Sequence, residues 1–148
     1  MTPRLRLLVA LALILAIVFE YRLAGVRPYG ETLAYTECPF WGEPRVTITS
    51  AVAAEDTQPV RVHEEVHASQ CRRLGPFRYR RENLTTRGKL ALEAPAYCAG
   101  ARMRLTLRVD SAVVRERLID DASAAFKGST DPTALRAALR LYCPEIVR

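Results

Sequence analysis

The sequence predicts a mainly helical α+β fold, with one short β element before the first helix of the domain. Helix-boundary residues and helical patterns recur from residue 57 to residue 142, and one alternating, β-branched segment, residues 45–50 (RVTITS), precedes them. The chain has 148 residues. Without its apolar N-terminal segment it retains roughly 120 residues, which suffices for one domain with a modest core.

The first segment, residues 1–25, is predicted to be a membrane anchor or a signal peptide. Arg4 and Arg6 precede an uninterrupted apolar run over residues 7–19, which has the length of a signal-peptide core and is short for a membrane span. A small-x-small cleavage site is not evident, because Arg22 stands three residues before the Ala24–Gly25 bond. The sequence therefore favours an uncleaved hydrophobic helix. A buried core helix is disfavoured because the segment has no polar face.

Residues 26–44 are rich in Pro and Gly and are predicted to form a linker and an irregular loop, so that the domain covers residues 45–148. The strand, Arg45–Ser50, comes first. A helix is then expected to begin with Thr57 as its cap and to end at Gly75-Pro76. A polar connection should follow over residues 77–88.

Three further helices are predicted. The first covers residues 90–105, where Pro95 should kink the helix or move its start. The second begins at Asp110 or Ser111 and continues to residue 126. The last has Asp131 as its cap and Pro132 in its first turn, and it continues to residue 142.

The formal net charge of +6 comes mainly from arginine, and the basic residues are spread along the chain. A solvated, arginine-rich surface is therefore favoured over a nucleic-acid site, and no nucleic-acid partner is predicted. The charge would also suit an anionic lipid surface near the anchor. The densest cluster comprises Arg72, Arg73, Arg78, Arg80 and Arg81.

The two histidines of the chain lie in a single motif, His63-Glu64-Glu65-Val66-His67, or H-E-x-x-H. On a helix, residues four apart occupy the same face, so both imidazoles can reach one metal ion. The carboxylate of Glu64 lies beside them, where it can accept a proton from water that the metal polarises. The alternative is a pair of ordinary histidines on a helix, which the spacing disfavours.

A catalytic zinc site takes three protein ligands and one water, and with no third histidine the last ligand must be Asp, Glu or Cys. Glu93 is the preferred candidate, because a carboxylate among apolar neighbours on the next helix would otherwise be buried without a partner. Cys71, one turn after His67, is the competing ligand, but a disulfide is favoured for it. Tyr97 lies four residues after Glu93 and could donate a hydrogen bond to a developing oxyanion; the alternative is a core tyrosine.

The segments HEEVHASQ (63–70) and LEAPAY (92–97) together resemble the gluzincin branch of zinc metallopeptidases, and more closely small, minimal gluzincin domains. The resemblance covers residues 63–101. It implies a zincin-like domain in which His63, His67 and Glu93 bind Zn²⁺, Glu64 is the general base and Gln70 supports a ligand. Pro95 departs from the pattern, because it interrupts the helix that carries Glu93.

Four cysteines, an even number, indicate two disulfides in an oxidising compartment such as a periplasm or the cell exterior. Four reduced thiols in a cytosolic domain are the alternative. Four cysteines allow three pairings. Helices that face each other across a metal usually run antiparallel, which favours Cys38–Cys71 and Cys98–Cys143.

These observations predict a membrane-tethered zinc metallopeptidase that hydrolyses peptides or unfolded protein outside the cytoplasm. An exposed edge of the strand Arg45–Ser50 would hold the substrate as an added strand. One alternative is a catalytically silent zinc-binding module at the membrane that binds a protein or cell-envelope partner. Another is a basic membrane-surface protein with a chance motif.

Overall fold

The computed structural model of the chain describes residues 3–23, 33–128 and 130–147. It contains two compact units, residues 1–32 and 33–148. The described part of the first unit is a helix, α1, Pro3–Leu23. In the ranges given above, no helix has both the length and the apolar character that crossing a membrane requires. The bond Ala24–Gly25 and the first part of the predicted linker, residues 26–32, lie outside the described residues.

The second unit is mainly helical with a small sheet, as the sequence predicted. Its two strands are antiparallel, and Thr36 lies opposite Val46. A 3₁₀ helix, Ala54–Asp56, leads directly into the first long helix. The elements in chain order are β1 (Ala34–Glu37), β2 (Arg45–Ile48), α2 (Thr57–Leu74), α3 (Pro76–Asn83), α4 (Thr86–Thr106), α5 (Ser111–Ala125) and α6 (Pro132–Tyr142).

Most of the predicted helix boundaries are confirmed. Helix α2 covers Thr57–Leu74 and is followed by Gly75, whose φ of 73° suits glycine. Thr57, which was predicted to be the cap, is instead the first residue of the helix, and its hydroxyl donates to the carbonyl oxygen of Ala53 rather than accepting from a helix N–H. The Asp110 side chain caps α5 by accepting from the backbone N–H groups of residues 112 and 113. Asp131 caps α6 in the same way, and Pro132 occupies its first turn.

Two predictions of irregular structure were wrong. Residues 34–37, within the predicted loop, form β1 and pair with β2. Residues 77–83, within the predicted polar connection, belong to α3, which begins at Pro76 and buries Tyr79. The many arginines of this segment hid its helical pattern and made it resemble a polar loop. One buried aromatic residue, Tyr79, is enough to hold so short a helix against α2 and α4.

Helix α4 begins earlier than predicted, and Pro95 lies inside it. The helix begins at Thr86, because the Thr85 hydroxyl caps it by accepting from the N–H of Gly88. Proline in a helix interior removes one backbone hydrogen bond. Burial offsets this cost, since α4 is among the most buried elements of the domain; its buried apolar residues include Leu92, Ala94, Ala96, Cys98 and Ala101.

Helices α2 and α4 lie side by side and antiparallel. A Cβ atom at Gly100 would lie 3.0 Å from the carbonyl oxygen of Pro59, so glycine permits close approach near the start of α2. Near the end of α2, Gln70 donates to the carbonyl oxygen of Leu92. The site described below lies between these two contacts.

Both predicted disulfides are present. Cys38, just after β1, is bonded to Cys71 near the end of α2. Cys98 of α4 is bonded to Cys143, which follows α6. The favoured pairing is therefore confirmed, and the expectation that antiparallel helices favour it agrees with the packing of α2 against α4.

Candidate metal centre

The two histidines of the motif project from one face of α2. Their Nε2 atoms lie 3.1 Å apart, and the two rings are nearly perpendicular. His67 is buried, at 6% exposure, and His63 is partly buried. The spacing of four residues on a helix accounts for this convergence.

Glu93 brings a carboxylate to the same point from α4. Its Oε2 atom lies 3.6 Å from Nε2 of His63 and 3.4 Å from Nε2 of His67. The three side chains therefore form a group that could hold a metal ion. The kink or late start expected at Pro95 does not displace Glu93, because α4 already contains two turns before it.

Gln70 fixes the orientation of His67. The amide nitrogen of Gln70 donates to the carbonyl oxygen of Leu92 at 2.8 Å, so its oxygen faces Nδ1 of His67 at 3.0 Å. An amide oxygen can only accept, and Nδ1 therefore carries the proton in this pair. This arrangement directs the other ring nitrogen, Nε2, toward Glu93 and His63.

Charge and burial act against each other at this group. Burial alone would lower the pKa of His67, but the hydrogen bond to Glu93 and the negative charges of Glu93 and Glu64 raise it overall. Burial alone would raise the pKa of Glu93, but its hydrogen bonds to the two histidines hold that pKa far below its usual value. A partly buried carboxylate that stays ionised in this way is suited to binding a cation.

Glu64 is buried beside the group and contacts the sheet. The Thr36 hydroxyl of β1 lies 2.7 Å from Oε2 of Glu64 and 2.8 Å from its backbone carbonyl oxygen, and it donates to one or the other. Glu64 is only 8% exposed. The hydroxyl therefore orients the carboxylate that the sequence proposed as general base.

Two tyrosines flank the group. Tyr97 of α4 packs its ring edge-on against that of His63, with the centroids 4.6 Å apart, so it does lie on the Glu93 face. Tyr79 of α3 lies on the other side, with its centroid 6.4 Å from that of His67. Burial, reinforced by the charge of Glu93, raises the pKa of Tyr79 well above its usual value, so its hydroxyl stays protonated.

The structure excludes one candidate ligand and adds two residues. Cys71 forms the disulfide that was favoured for it, which excludes it as the alternative ligand to Glu93. Thr36 and Tyr79 were missed, because each lies on an element that the sequence analysis did not predict. The available signal for Thr36 was its position next to Tyr35, since tyrosine and threonine both favour strands.

Comparisons of this chain with protein-family models, with curated proteins and with solved structures find no significant match.

Proposed function

We propose that this chain is a membrane-tethered, zinc-dependent metallopeptidase that hydrolyses peptides or unfolded protein outside the cytoplasm. The observation that carries the proposal is the convergence of His63, His67 and Glu93 from two helices, with Glu64 adjacent on α2. The resemblance of residues 63–70 and 92–97 to minimal gluzincin domains supports it.

Zinc suits the donor set and its spacing. Donor atoms bound tetrahedrally at zinc bond lengths lie about 3.3 Å apart. The three separations here, 3.1, 3.4 and 3.6 Å, are close to that value. Two nitrogens and one carboxylate are also the ligands of many catalytic zinc sites, which keep one position for water or substrate.

The surrounding residues have the functional groups that peptide hydrolysis requires. Zinc at this site would make water a better nucleophile at neutral pH and polarise a substrate carbonyl. Glu64, oriented by Thr36, would accept a proton from the attacking water and pass it to the leaving nitrogen. Tyr97, beside His63, would donate a hydrogen bond to the developing oxyanion.

The compartment and the tether have separate support. Two disulfides persist in an oxidising environment, which supports a domain facing the periplasm or the cell exterior. The membrane tether is proposed from the sequence of residues 1–25, where two arginines precede the apolar run.

A silent zinc-binding module that contacts a protein or cell-envelope partner is the second candidate. The low exposure of Glu64 and His67, 8% and 6%, favours it, since little of either side chain is open to a substrate. The hydrogen bond from Thr36 would then hold Glu64 in place without any turnover.

Replacement of Glu64 tests which candidate applies. Glu64→Gln should keep stoichiometric zinc but lower hydrolysis of an unfolded protein by at least about 100-fold, because an amide cannot accept the proton. Glu65→Gln is the matched control: Glu65 is the neighbouring, exposed glutamate of the same motif, and both zinc and hydrolysis should be unchanged. Zinc-loaded wild-type protein that cleaves nothing would favour the silent module. A Glu64→Gln variant that cleaves normally would remove Glu64 from the mechanism.

A further inference from the structure

Exposed aromatic side chains and arginines share one surface at the carboxyl end of α2. Trp41 is 87% exposed and Phe77 is 72% exposed. Leu84, which directly follows α3, is 73% exposed. Exposed apolar groups of this size mark sites of interaction when they are clustered. We propose that this aromatic–arginine surface, which consists of Phe40, Trp41, Phe77, Leu84, Arg72, Arg73, Arg78, Arg80 and Arg81, docks onto an anionic lipid bilayer.

The aromatic residues form one cluster. The ring of Phe40 lies 4.6 Å from that of Phe77 and 6.2 Å from that of Trp41, measured between centroids. Phe77 belongs to α3, whereas the other two belong to the loop between β1 and β2. The contact therefore gathers apolar area from two elements onto one side of the domain.

The loop that carries Trp41 is fixed to the helices beneath it. The disulfide Cys38–Cys71 joins its start to α2. Arg80 donates to the carbonyl oxygen of Cys38, and its guanidinium lies 4.2 Å from the centre of the Phe40 ring. Glu43 pairs with Arg72 near the other end of the loop. A loop held in this way presents Trp41 to a partner with little ordering cost.

The charges around the cluster are predominantly positive. Five arginines lie on α2 and α3, at residues 72, 73, 78, 80 and 81. Glu43 and Glu82 pair with Arg72 and Arg78. Arg73 and Arg81 are exposed, and neither forms an ion pair within the described part of the chain. The surface therefore keeps a net positive charge beside its aromatic residues.

A bilayer matches this combination better than a protein does. Tryptophan side chains concentrate at the level of lipid headgroups, and arginines close to an anionic leaflet are attracted to its phosphates. Protein interfaces are also enriched in aromatic residues and arginine, but the unpaired positive charge of Arg73 and Arg81 matches the uniform negative charge of an anionic leaflet. This docking would orient the domain on the membrane, and it does not depend on the metal group.

Trp41 is the one tryptophan of the chain, so its fluorescence reports on this surface alone. The experiment uses the full chain bound to vesicles of phosphatidylcholine, with and without phosphatidylglycerol. Residues 1–25 would attach the chain to both vesicle types and therefore do not affect the comparison. We expect a blue shift of Trp41 emission, and quenching by brominated lipid, in the anionic vesicles only. Raised ionic strength should reverse both effects.

Two variants make the test specific. Arg73→Glu combined with Arg81→Glu should abolish the shift and the quenching. Arg108→Glu combined with Arg136→Glu changes the net charge equally at exposed positions, one in the turn after α4 and one on α6, and should leave both effects intact. Phe77→Ser, which keeps every charge, should reduce the quenching.

Three results would overturn the proposal. The first is equal Trp41 emission in the two kinds of vesicle, and the second is a normal shift in the Arg73→Glu/Arg81→Glu variant. The third is a blue shift that grows with protein concentration in the absence of lipid, because it would assign the surface to contact between copies of the chain.

Discussion

Gln70 shows how a single side chain can connect the two helices that carry the proposed ligands. Its amide donates to the backbone of α4 at Leu92 and accepts from His67 on its own helix. Both ends of the amide are satisfied within a buried site, where Gln70 is only 4% exposed. Its position therefore determines which nitrogen of His67 faces Glu93.

Gln70→Met should weaken zinc binding, because methionine fills a similar volume but leaves the His67 ring without its hydrogen-bond acceptor. Loss of a group that orients a ligand typically reduces metal affinity 10- to 100-fold. Competition with a chromophoric chelator measures this affinity. Ser69→Ala, at the exposed neighbouring position, is the control and should bind as the wild type does. Equal affinity in the two variants would show that Gln70 does not orient the ligand.

The sequence predicted the group of residues but not its surroundings. His63, Glu64 and His67 follow from spacing on one helix, and Glu93 follows from the cost of burying an unpaired carboxylate. The bond from Thr36 to Glu64 joins residues 28 positions apart in sequence. Contacts of this kind depend on how the elements pack, and no local pattern in the sequence contains that information.

At the scale of elements, the register of the sheet determines which backbone groups face outward. The N–H of Thr49 donates to the carbonyl oxygen of Leu33, so alternate pairs from this point are hydrogen-bonded. Thr47 therefore directs its N–H toward β1, whereas Ile48 and Ala34 direct theirs to the two outer edges. The strand Arg45–Ser50 was expected to hold the substrate, but the strand residue that hydrogen-bonds to Glu64 is Thr36 of β1.

Proline substitutions at the two edges should show which strand, if either, binds an extended peptide. Ala34→Pro removes an outward donor from β1 and should lower peptide turnover with zinc content unchanged, because β1 carries the contact with Glu64. Ile48→Pro removes the equivalent donor from β2 and is the matched control. A loss of turnover only in Ile48→Pro would move substrate binding to β2, and unchanged turnover in both would exclude strand addition.

The elements that were predicted correctly share strong boundary signals. Helices α5 and α6 each begin with a capping aspartate, and α2 ends at a glycine. Strand β1 and helix α3 are only four and eight residues long, which is too short to show a clear period of apolar residues. Tertiary contacts stabilise them: the pairing with β2 and the burial of Tyr79.

At the scale of the whole molecule, each helix that carries a proposed ligand is also fixed by a disulfide. Cys71 lies one turn after His67, and Cys98 lies five residues after Glu93. The two bonds close segments with sequence separations of 33 and 45 residues. They therefore restrict the unfolded chain in the regions that must assemble the site.

Free-thiol titration of the native protein should detect no reactive cysteine, and peptide mapping should recover Cys38–Cys71 and Cys98–Cys143. Replacing both cysteines of either pair with serine should lower the free energy of unfolding by about 4 kcal/mol, from the entropy of loops of this length. Denaturant titration measures the loss. Four reactive thiols would argue for a reducing compartment, and a different pairing would contradict the arrangement of α2 and α4.

Anomalous scattering at the zinc absorption edge, from crystals of the chain grown with zinc, tests the central claim most directly. The account predicts one strong peak about 2.0–2.2 Å from Nε2 of His63, Nε2 of His67 and a carboxylate oxygen of Glu93. The peak should be absent from a His67→Ala variant that keeps its fold. No peak at this group, or an equally strong one in the His67→Ala variant, would contradict the account.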